Sequence, residues 1–246
     1  MFSPQGPSLR ELCVQALSSV ERGYDLLAPK FDHTPFRTPR TVLDATEQAL
    51  AAYGPFRDGV DICCGTGDMT LALLRHRPLG ARPVLAADFA RAMLARGSQK
   101  FGRRGAVALE ADALHLPLRD TSLDLIVTAF GFRNLANYEG GLCEFHRVLK
   151  PGGRLGILEF SEPGGLIGKA YALYFRRVLP WIGRLICGKD GPYNYLPTSV
   201  SKFPAPPEML RLMQQCGYSE VTWRPYTFGI AGLYTGTRAP EYPESR

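Results

Sequence analysis

The sequence lacks the patterns that mark a metal site, a disulfide scaffold or a secreted protein. Its six cysteines form no CxxC pair and no cluster with histidine at metal-ligand spacing. Cys63 and Cys64 are adjacent, where an ordinary disulfide is strained and rare. The N-terminal residues lack the basic, then apolar, then small-residue order of a signal peptide. We therefore expect no bound metal, free thiols, and a protein of the reducing cytoplasm.

Uninterrupted apolar runs are also missing. Residues 166–187 are strongly apolar, but Arg176, Arg177, Pro180 and Arg184 interrupt them. This pattern predicts a covering or interfacial helix and not a membrane span. Lysines are few, and the net charge of +6 comes mainly from arginines spread along the chain. A dispersed arginine excess is more typical of composition than of a binding face, so we expect no nucleic-acid partner.

From Gly59 onwards, the sequence alternates short apolar runs with segments of helical spacing. The predicted strands are Gly59–Cys63, Pro83–Ala87, Ala106–Glu110, Leu123–Ala129 and Arg154–Glu159. The helices predicted between them are Met69–Arg77, Asp88–Lys100 and Tyr138–Leu149. Such alternation predicts an α/β fold with a doubly wound, mostly parallel sheet, helices on both faces and Rossmann-like connections. Ligands of such sheets bind beyond the carboxyl ends of the strands.

The chain length fits a single domain over residues 1–246. We expect residues 51–159 to form the ligand-binding core and residues 206–246 to complete the sheet. Residues 8–50 have a helical pattern, and residues 160–205 are rich in aromatic residues and proline. Both segments are predicted to cover the ligand edge of the sheet.

A glycine-rich turn, Asp61–Thr70, follows the first predicted strand and opens a helix. Its glycines, Gly65 and Gly67, allow the backbone to turn tightly and to approach a ligand. The third glycine of the dinucleotide fingerprint is absent, and Thr70 stands in its place. This difference argues against a pyrophosphate site and hence against NAD. A tight strand–helix turn without any ligand is the alternative.

Two acids follow the next two strands. Asp88 ends the second strand, where a carboxylate can accept hydrogen bonds from both hydroxyls of a ribose. Its alternative role is to cap the helix that follows. Asp112, followed by Ala113, comes after the third strand and could accept from the amine of an adenine. A simple Asx-turn is the alternative for Asp112.

The order of these elements, ending with the Lys150–Gly153 turn, resembles class I S-adenosylmethionine-dependent methyltransferases. Two segments, Phe130–Asn134 and Arg147–Ser161, are similar to signatures of the ubiquinone/menaquinone-biosynthesis C-methyltransferase family. Tyr24-Asp25-Leu26-Leu27 matches the start of a further signature, but Ala28 replaces its asparagine. Tyr234 stands where the family commonly has histidine.

This resemblance implies S-adenosylmethionine as the cofactor and a reduced, prenylated quinone precursor, either demethylmenaquinol or a ubiquinol precursor, as the methyl acceptor. The residues expected to bind the cofactor are Asp61, Gly65, Thr66, Gly67, Thr70, Asp88, Asp112 and Ala113. Arg133 would favour the phenolate form of the acceptor, Asn134 would fix a hydroxyl or a water, and Tyr24 would close over the sulfonium. The alternatives are a surface salt bridge, a turn residue and a packing tyrosine, respectively.

A prenyl tail needs an apolar groove or a membrane surface, which residues 160–205 could supply. We therefore expect a cytoplasmic protein that meets the inner face of the membrane; a homodimer is left open. A small-molecule N-, O- or C-methyltransferase of secondary metabolism is the nearest alternative function. A nucleic-acid methyltransferase is disfavoured, because Phe130-Gly131-Phe132 stands where a motif for a flipped base would follow strand four.

Overall fold

The computed structural model describes residues 55–161 and 196–239. In these ranges seven strands form one sheet, in the order β3-β2-β1-β4-β5-β7-β6. The strands are β1 Gly59–Ile62, β2 Val84–Asp88, β3 Ala106–Glu110, β4 Leu123–Ala129, β5 Leu149–Phe160, β6 Tyr218–Tyr226 and β7 Ala231–Arg238. The α-helices of the same ranges are α1 Asp68–His76, α2 Arg91–Phe101, α3 Tyr138–Val148, α4 Leu196–Lys202 and α5 Pro206–Gln215.

Strands β1 to β5 pair with one another in parallel, whereas β7 is antiparallel to both β5 and β6. The order reverses at β1, which lies between β2 and β4. Crevices for ligands open at such a reversal, beyond the carboxyl ends of the parallel strands. We call this side of the sheet the carboxyl edge. The predicted doubly wound α/β fold is confirmed.

The sheet carries a buried apolar cluster on each face. Ile126 and Val127 are neighbours on β4, and they belong to different clusters because successive side chains of a strand point to opposite faces. Helices α3 and α5 pack over the Ile126 face through Phe145 and Met209, which are fully buried. Helix α1 covers the other face through Leu73. Burial on both faces explains the nearly continuous apolar sequence of β4.

Two sequence predictions need correction. Helix α2 does not begin at Asp88: that residue is the last of β2, and the helix begins at Arg91 after the N-cap residue Ala90. The turn predicted at Lys150–Gly153 lies inside β5, because Leu149 already pairs with Leu123 of β4. The register shifts beyond this pair and is restored where Arg154 pairs with Leu125. The turn is therefore an irregularity within a longer strand.

The sequence also predicted a helical cover at 8–50 and a hydrophobic cover at 160–205. The first segment, and residues 162–195 of the second, lie outside the described residues. Among the helices that the structure describes, none is long and apolar enough to cross a membrane.

Candidate functional site

The glycine-rich turn leaves the carboxyl end of β1 and starts α1. Three of its residues have left-handed backbone angles: Cys63 has φ 56°, Gly65 has φ 53° and Gly67 has φ 84°. A Cβ atom at Gly67 would lie 2.4 Å from Cδ1 of Phe101, at the end of α2. Gly67 is therefore required both by its backbone conformation and by the close packing of α2.

Asp88 braces this turn from the neighbouring strand. Its Oδ2 accepts a hydrogen bond from the Gly65 N–H at 2.7 Å, and its Oδ1 accepts one from the Ala90 N–H at 2.8 Å. Burial raises the pKa of Asp88 to about 6, although hydrogen bonds from the backbone of Ala90, Gly65 and Phe89 oppose the rise. The carboxylate therefore links the ends of β1 and β2.

Asp61 is fully buried on β1, below the turn. Its Oδ2 accepts from the Thr70 hydroxyl at 2.7 Å, so Thr70 orients this acid from the first turn of α1. Its Oδ1 has no hydrogen-bond partner among the described residues. Burial, with a smaller contribution from the charge of Asp88, raises the pKa of Asp61 to about 7. A buried acceptor in this state requires a donor from a ligand or a water.

The electrostatic character of the turn is anionic. Burial raises the pKa of the Cys63 thiol well above its ordinary value, and the charges of Asp88, Asp61 and Glu159 raise it further. Asp61 and Asp88 are the two acids of the cofactor turn, whereas the charge of Glu159 is balanced by Arg133. Such surroundings stabilise a positively charged ligand and oppose a pyrophosphate. The electrostatics thus agree with the missing third glycine in disfavouring a dinucleotide.

Asp112 and Ala113 follow β3 at the same edge. The Asp112 Oδ1 accepts from the Leu114 N–H at 2.9 Å, which is the hydrogen bond of an Asx-turn. The Asp112 side chain is 52% exposed, and its Oδ2 lies 3.3 Å from Nδ1 of His115. Ala113 is buried in the core. The turn role that the sequence offered as the alternative is therefore present, and the adenine contact of Asp112 stays a prediction.

Arg133 lies beyond β4, in the 3₁₀ helix Phe132–Asn134, and it is buried against β5. Its Nη1 lies 2.9 Å from Oε1 of Glu159; the side chains are 5% and 0% exposed, respectively. The same nitrogen donates to the Phe130 carbonyl, and the guanidinium lies 5.3 Å from the centre of the Phe160 ring. The surface salt bridge that the sequence offered as the alternative is wrong, because the ion pair is buried.

Glu159 makes this arrangement possible, and the sequence prediction did not single it out. Besides the ion pair, it accepts from the backbone N–H groups of Arg133, at 3.1 Å, and Phe160, at 2.8 Å. The sequence of β5 contains a pattern that could have identified Glu159. Leu155, Ile157 and Glu159 alternate towards one face of the strand, so the acid continues a buried apolar row. A charge in such a row needs a partner, and Arg133 supplies it.

The loops after β1 and β4 touch each other. A Cβ atom at Gly131 would lie 2.2 Å from the Cβ of Cys63. Asn134 follows in the 3₁₀ helix, and its N–H donates to the Gly131 carbonyl at 3.0 Å. The structure thus brings Arg133 and Asn134 to the edge that carries Asp61, Asp88 and the glycine-rich turn. Tyr24 lies outside the described residues.

Tyr234, which stands where the resembled family commonly has histidine, is fully buried on β7. Its ring packs edge-on against Phe203, with centroids 6.1 Å apart. Its hydroxyl has no hydrogen-bond partner in the part of the chain that the structure describes. Burial and the charge of Glu159 raise the pKa of Tyr234, so the phenol stays protonated at neutral pH.

The described residues at the carboxyl edge fit S-adenosylmethionine. Asp61 offers a buried acceptor without a donor, Asp88 offers acceptors for ribose hydroxyls, and Gly65 has no side chain that would keep a ligand away from its backbone. Both acids favour the cationic sulfonium and ammonium groups. Thr66 is buried beside them.

Comparison with known proteins supports the same conclusion. Residues 12–238 match the ubiE/COQ5 methyltransferase family. The chain is 48% identical to the demethylmenaquinone methyltransferase of Thermus thermophilus over 182 residues, which are 73% of this chain and 81% of the relative. It is 41% identical to the ubiquinone/menaquinone biosynthesis C-methyltransferase UbiE of Geobacter sulfurreducens, over 73% of this chain and 71% of the relative.

Solved structures show the same fold. A SAM-dependent methyltransferase of Thermotoga maritima superposes with a TM-score of 0.62 at 20% sequence identity. The match covers 89% of this chain and 99% of that chain.

Proposed function

Since this chain belongs to the ubiE/COQ5 methyltransferase family, we propose that it methylates a ring carbon of a reduced, prenylated quinone precursor with S-adenosylmethionine as the donor. The observation that carries this proposal is that two half-sites are adjacent: the glycine-rich turn with its acids, and the loop after β4 with Arg133. An anionic turn suits a cationic cofactor, and a buried, ion-paired arginine lies directly across the Gly131–Cys63 contact. The names of the relatives favour a quinol acceptor over other small molecules.

The proposed cofactor site rests on the ends of β1 and β2. Asp88 binds the ribose hydroxyls while it holds the Gly65 N–H, and Asp61 takes a donor on its free Oδ1. Thr70 fixes the other oxygen of Asp61. When bound, S-adenosylmethionine supplies an electrophilic methyl group on a sulfonium. The task left to the protein is to hold the acceptor carbon in line and to raise its nucleophilicity.

The proposed acceptor site rests on the loop after β4. An aromatic carbon beside a hydroxyl becomes a good nucleophile when the hydroxyl is ionised. Arg133 favours this phenolate with its guanidinium, and Asn134 orients a hydroxyl or a water. Glu159 partly neutralises the charge of Arg133, and its main effect is to fix the guanidinium against β5. Preorganisation of this kind costs no rearrangement during the reaction.

Cofactor affinity should depend on pH through Asp61 and Asp88. Their pKa values of about 7 and 6 lie above the ordinary range, so both acids take up protons as the pH falls from 8 to 5. A cationic ligand prefers the ionised carboxylates, so protons compete with it. We expect the affinity for S-adenosylhomocysteine, which keeps the ammonium group, to fall by up to about tenfold per pH unit for each acid once the pH is below the pKa of that acid, about 7 for Asp61 and about 6 for Asp88. Calorimetry in buffers of different ionisation enthalpy measures both the affinity and the protons released.

Asp88→Asn isolates one of the two groups. We expect it to weaken binding roughly tenfold to a hundredfold at pH 8 and to remove the part of the pH dependence near 6. Glu110→Gln is the matched control, because Glu110 pairs in register with Asp88 on β3 but is exposed. Equal affinities of Asp88→Asn and the unaltered protein would remove Asp88 from the site.

The proposed reaction is tested by identifying the methylated product by mass. Purified protein is given labelled S-adenosylmethionine with a demethylmenaquinol analogue, a demethylated ubiquinol precursor, or simple phenols and amines. We expect label on a ring carbon of a quinol. Label found only on phenols or amines would replace the proposal with the small-molecule methyltransferase alternative.

We also propose that the protein meets this acceptor at the cytoplasmic face of a membrane. Support comes from the β6–β7 turn at the carboxyl edge, where Phe228 is 82% exposed and is held in a left-handed conformation with φ 58°. An exposed aromatic ring beside a lipid-substrate site is suited to the membrane interface.

Vesicle binding tests this contact. Phe228→Asn tolerates the left-handed backbone but removes the ring, and it should weaken co-sedimentation with anionic vesicles by about tenfold. Leu79→Asn is the matched control, because Leu79 is fully exposed on the loop that enters β2 at the opposite edge. Equal loss in both variants, or in neither, would count against insertion of Phe228.

A further inference from the structure

Two cysteines from distant parts of the sequence meet between helices α3 and α5. The Sγ atoms of Cys143 and Cys216 lie 2.9 Å apart, although 73 residues separate them. Cys143 is on α3, and Cys216 is the first residue after α5. The thiol of Cys216 also lies 3.6 Å from the carbonyl oxygen of Glu139, one turn earlier on α3.

The two thiols differ in their access to solvent. Cys143 is exposed, whereas Cys216 is buried with 8% exposure. Burial, together with the contact with Cys143, raises the pKa of Cys216 to about 12. The exposed thiol is therefore the one that meets a reagent first, and the buried thiol is held beside it as the second nucleophile.

We propose that Cys143 and Cys216 form a dithiol site that low-molecular-weight disulfides oxidise to an intramolecular disulfide. The Cys143 thiolate attacks one sulfur of the small disulfide and releases one thiol, which leaves a mixed disulfide. Cys216 then loses its proton and attacks the Cys143 sulfur, so that the second small thiol leaves. The two protein thiols are oxidised, and one small disulfide is reduced to two thiols.

The disulfide would join α3 to the corner between α5 and β6. These helices cover one face of the sheet, whereas Asp61 and Asp88 lie at the carboxyl edge. We therefore expect oxidation to raise the melting temperature without a large change in cofactor affinity. Closing a loop of this length restricts the unfolded chain, which corresponds to a rise of roughly 9–18 °C.

The test uses the full chain and oxidised glutathione. After incubation, peptide mapping should show one cross-linked pair that contains Cys143 and Cys216, and the melting temperature should rise. Cys13→Ser with Cys187→Ser should respond like the unaltered protein, whereas Cys143→Ser should show neither the cross-link nor the shift. A cross-link between other cysteines, or an unchanged melting temperature, would overturn the proposal.

A second probe detects the reduced pair of thiols directly. Phenylarsine oxide binds two neighbouring thiols at one arsenic and binds single thiols weakly. We expect one equivalent to bind the reduced protein tightly and Cys143→Ser to lose this binding. Since Cys143 is exposed, its replacement by serine should leave folding intact. Equal binding by the variant and the unaltered protein would show that the pair is not the site.

Discussion

The Arg133→Ala variant should be less stable than the unaltered protein and should have a much lower turnover. The substitution leaves Glu159 buried without its partner, and a broken buried ion pair costs about 3–5 kcal/mol of the free energy of unfolding. For a chain of this size the melting temperature should fall by roughly 6–20 °C. Turnover should fall by about a hundredfold or more, because the guanidinium stabilises the proposed phenolate.

The double variant Arg133→Met with Glu159→Gln separates these two effects. It removes both charges and keeps side chains of similar length, so most of the lost stability should return. Turnover should stay low, because the guanidinium proposed to stabilise the phenolate has been removed. Calorimetry with S-adenosylhomocysteine should show that cofactor binding survives. The ion pair is separated from the glycine-rich turn by the contact between Gly131 and Cys63.

The exposed pair Arg211–Glu208 provides the control. Its side chains are 61% and 57% exposed, so Arg211→Ala should change stability by less than about 1 kcal/mol. If the double variant regained turnover together with stability, Arg133 would be a structural residue, and the acceptor site would need another cation.

The arrangement of the residues in the proposed cofactor half of the site was predictable from the sequence. Its residues lie on two neighbouring parallel strands, and the carboxyl ends of such strands meet at one edge whatever the packing around them. Gly65, Gly67 and Asp88 therefore lie together as predicted. The use of Asp88 was harder to foresee, since its hydrogen bonds to Gly65 and Ala90 depend on where β2 ends and α2 begins.

The acceptor half was less predictable, because it depends on contacts between distant segments. Arg133 was identified by resemblance, but its burial against Glu159 follows from the register of β5 beside β4. The contact between Cys143 and Cys216 likewise depends on the packing of α3 against α5. Spacing along the chain carries no information about such pairs, so the absence of a CxxC motif did not exclude this contact.

Gly131→Ala should push the two half-sites apart. The new methyl group would lie 2.2 Å from the Cβ of Cys63 and 3.4 Å from its carbonyl oxygen, so side-chain rotation cannot relieve the contact. Gly131 itself has φ −110°, which alanine adopts freely, so any effect is steric. We expect a loss of about 1–3 kcal/mol in stability and at least tenfold weaker binding of S-adenosylhomocysteine.

A second substitution at Cys63 shows whether this single contact is responsible. Cys63→Gly removes the opposing Cβ and also suits the φ of 56°, so it should restore both stability and cofactor affinity to Gly131→Ala. Cys63→Ala keeps the Cβ and should restore neither. Gly102→Ala is the control for glycine replacement, because a Cβ there meets no atom within 4 Å and its φ is −57°. Equal rescue by Cys63→Gly and Cys63→Ala would show that the contact is made by the sulfur of Cys63 and not by its Cβ atom. The sulfur would then set the distance between the glycine-rich turn and the loop that carries Arg133.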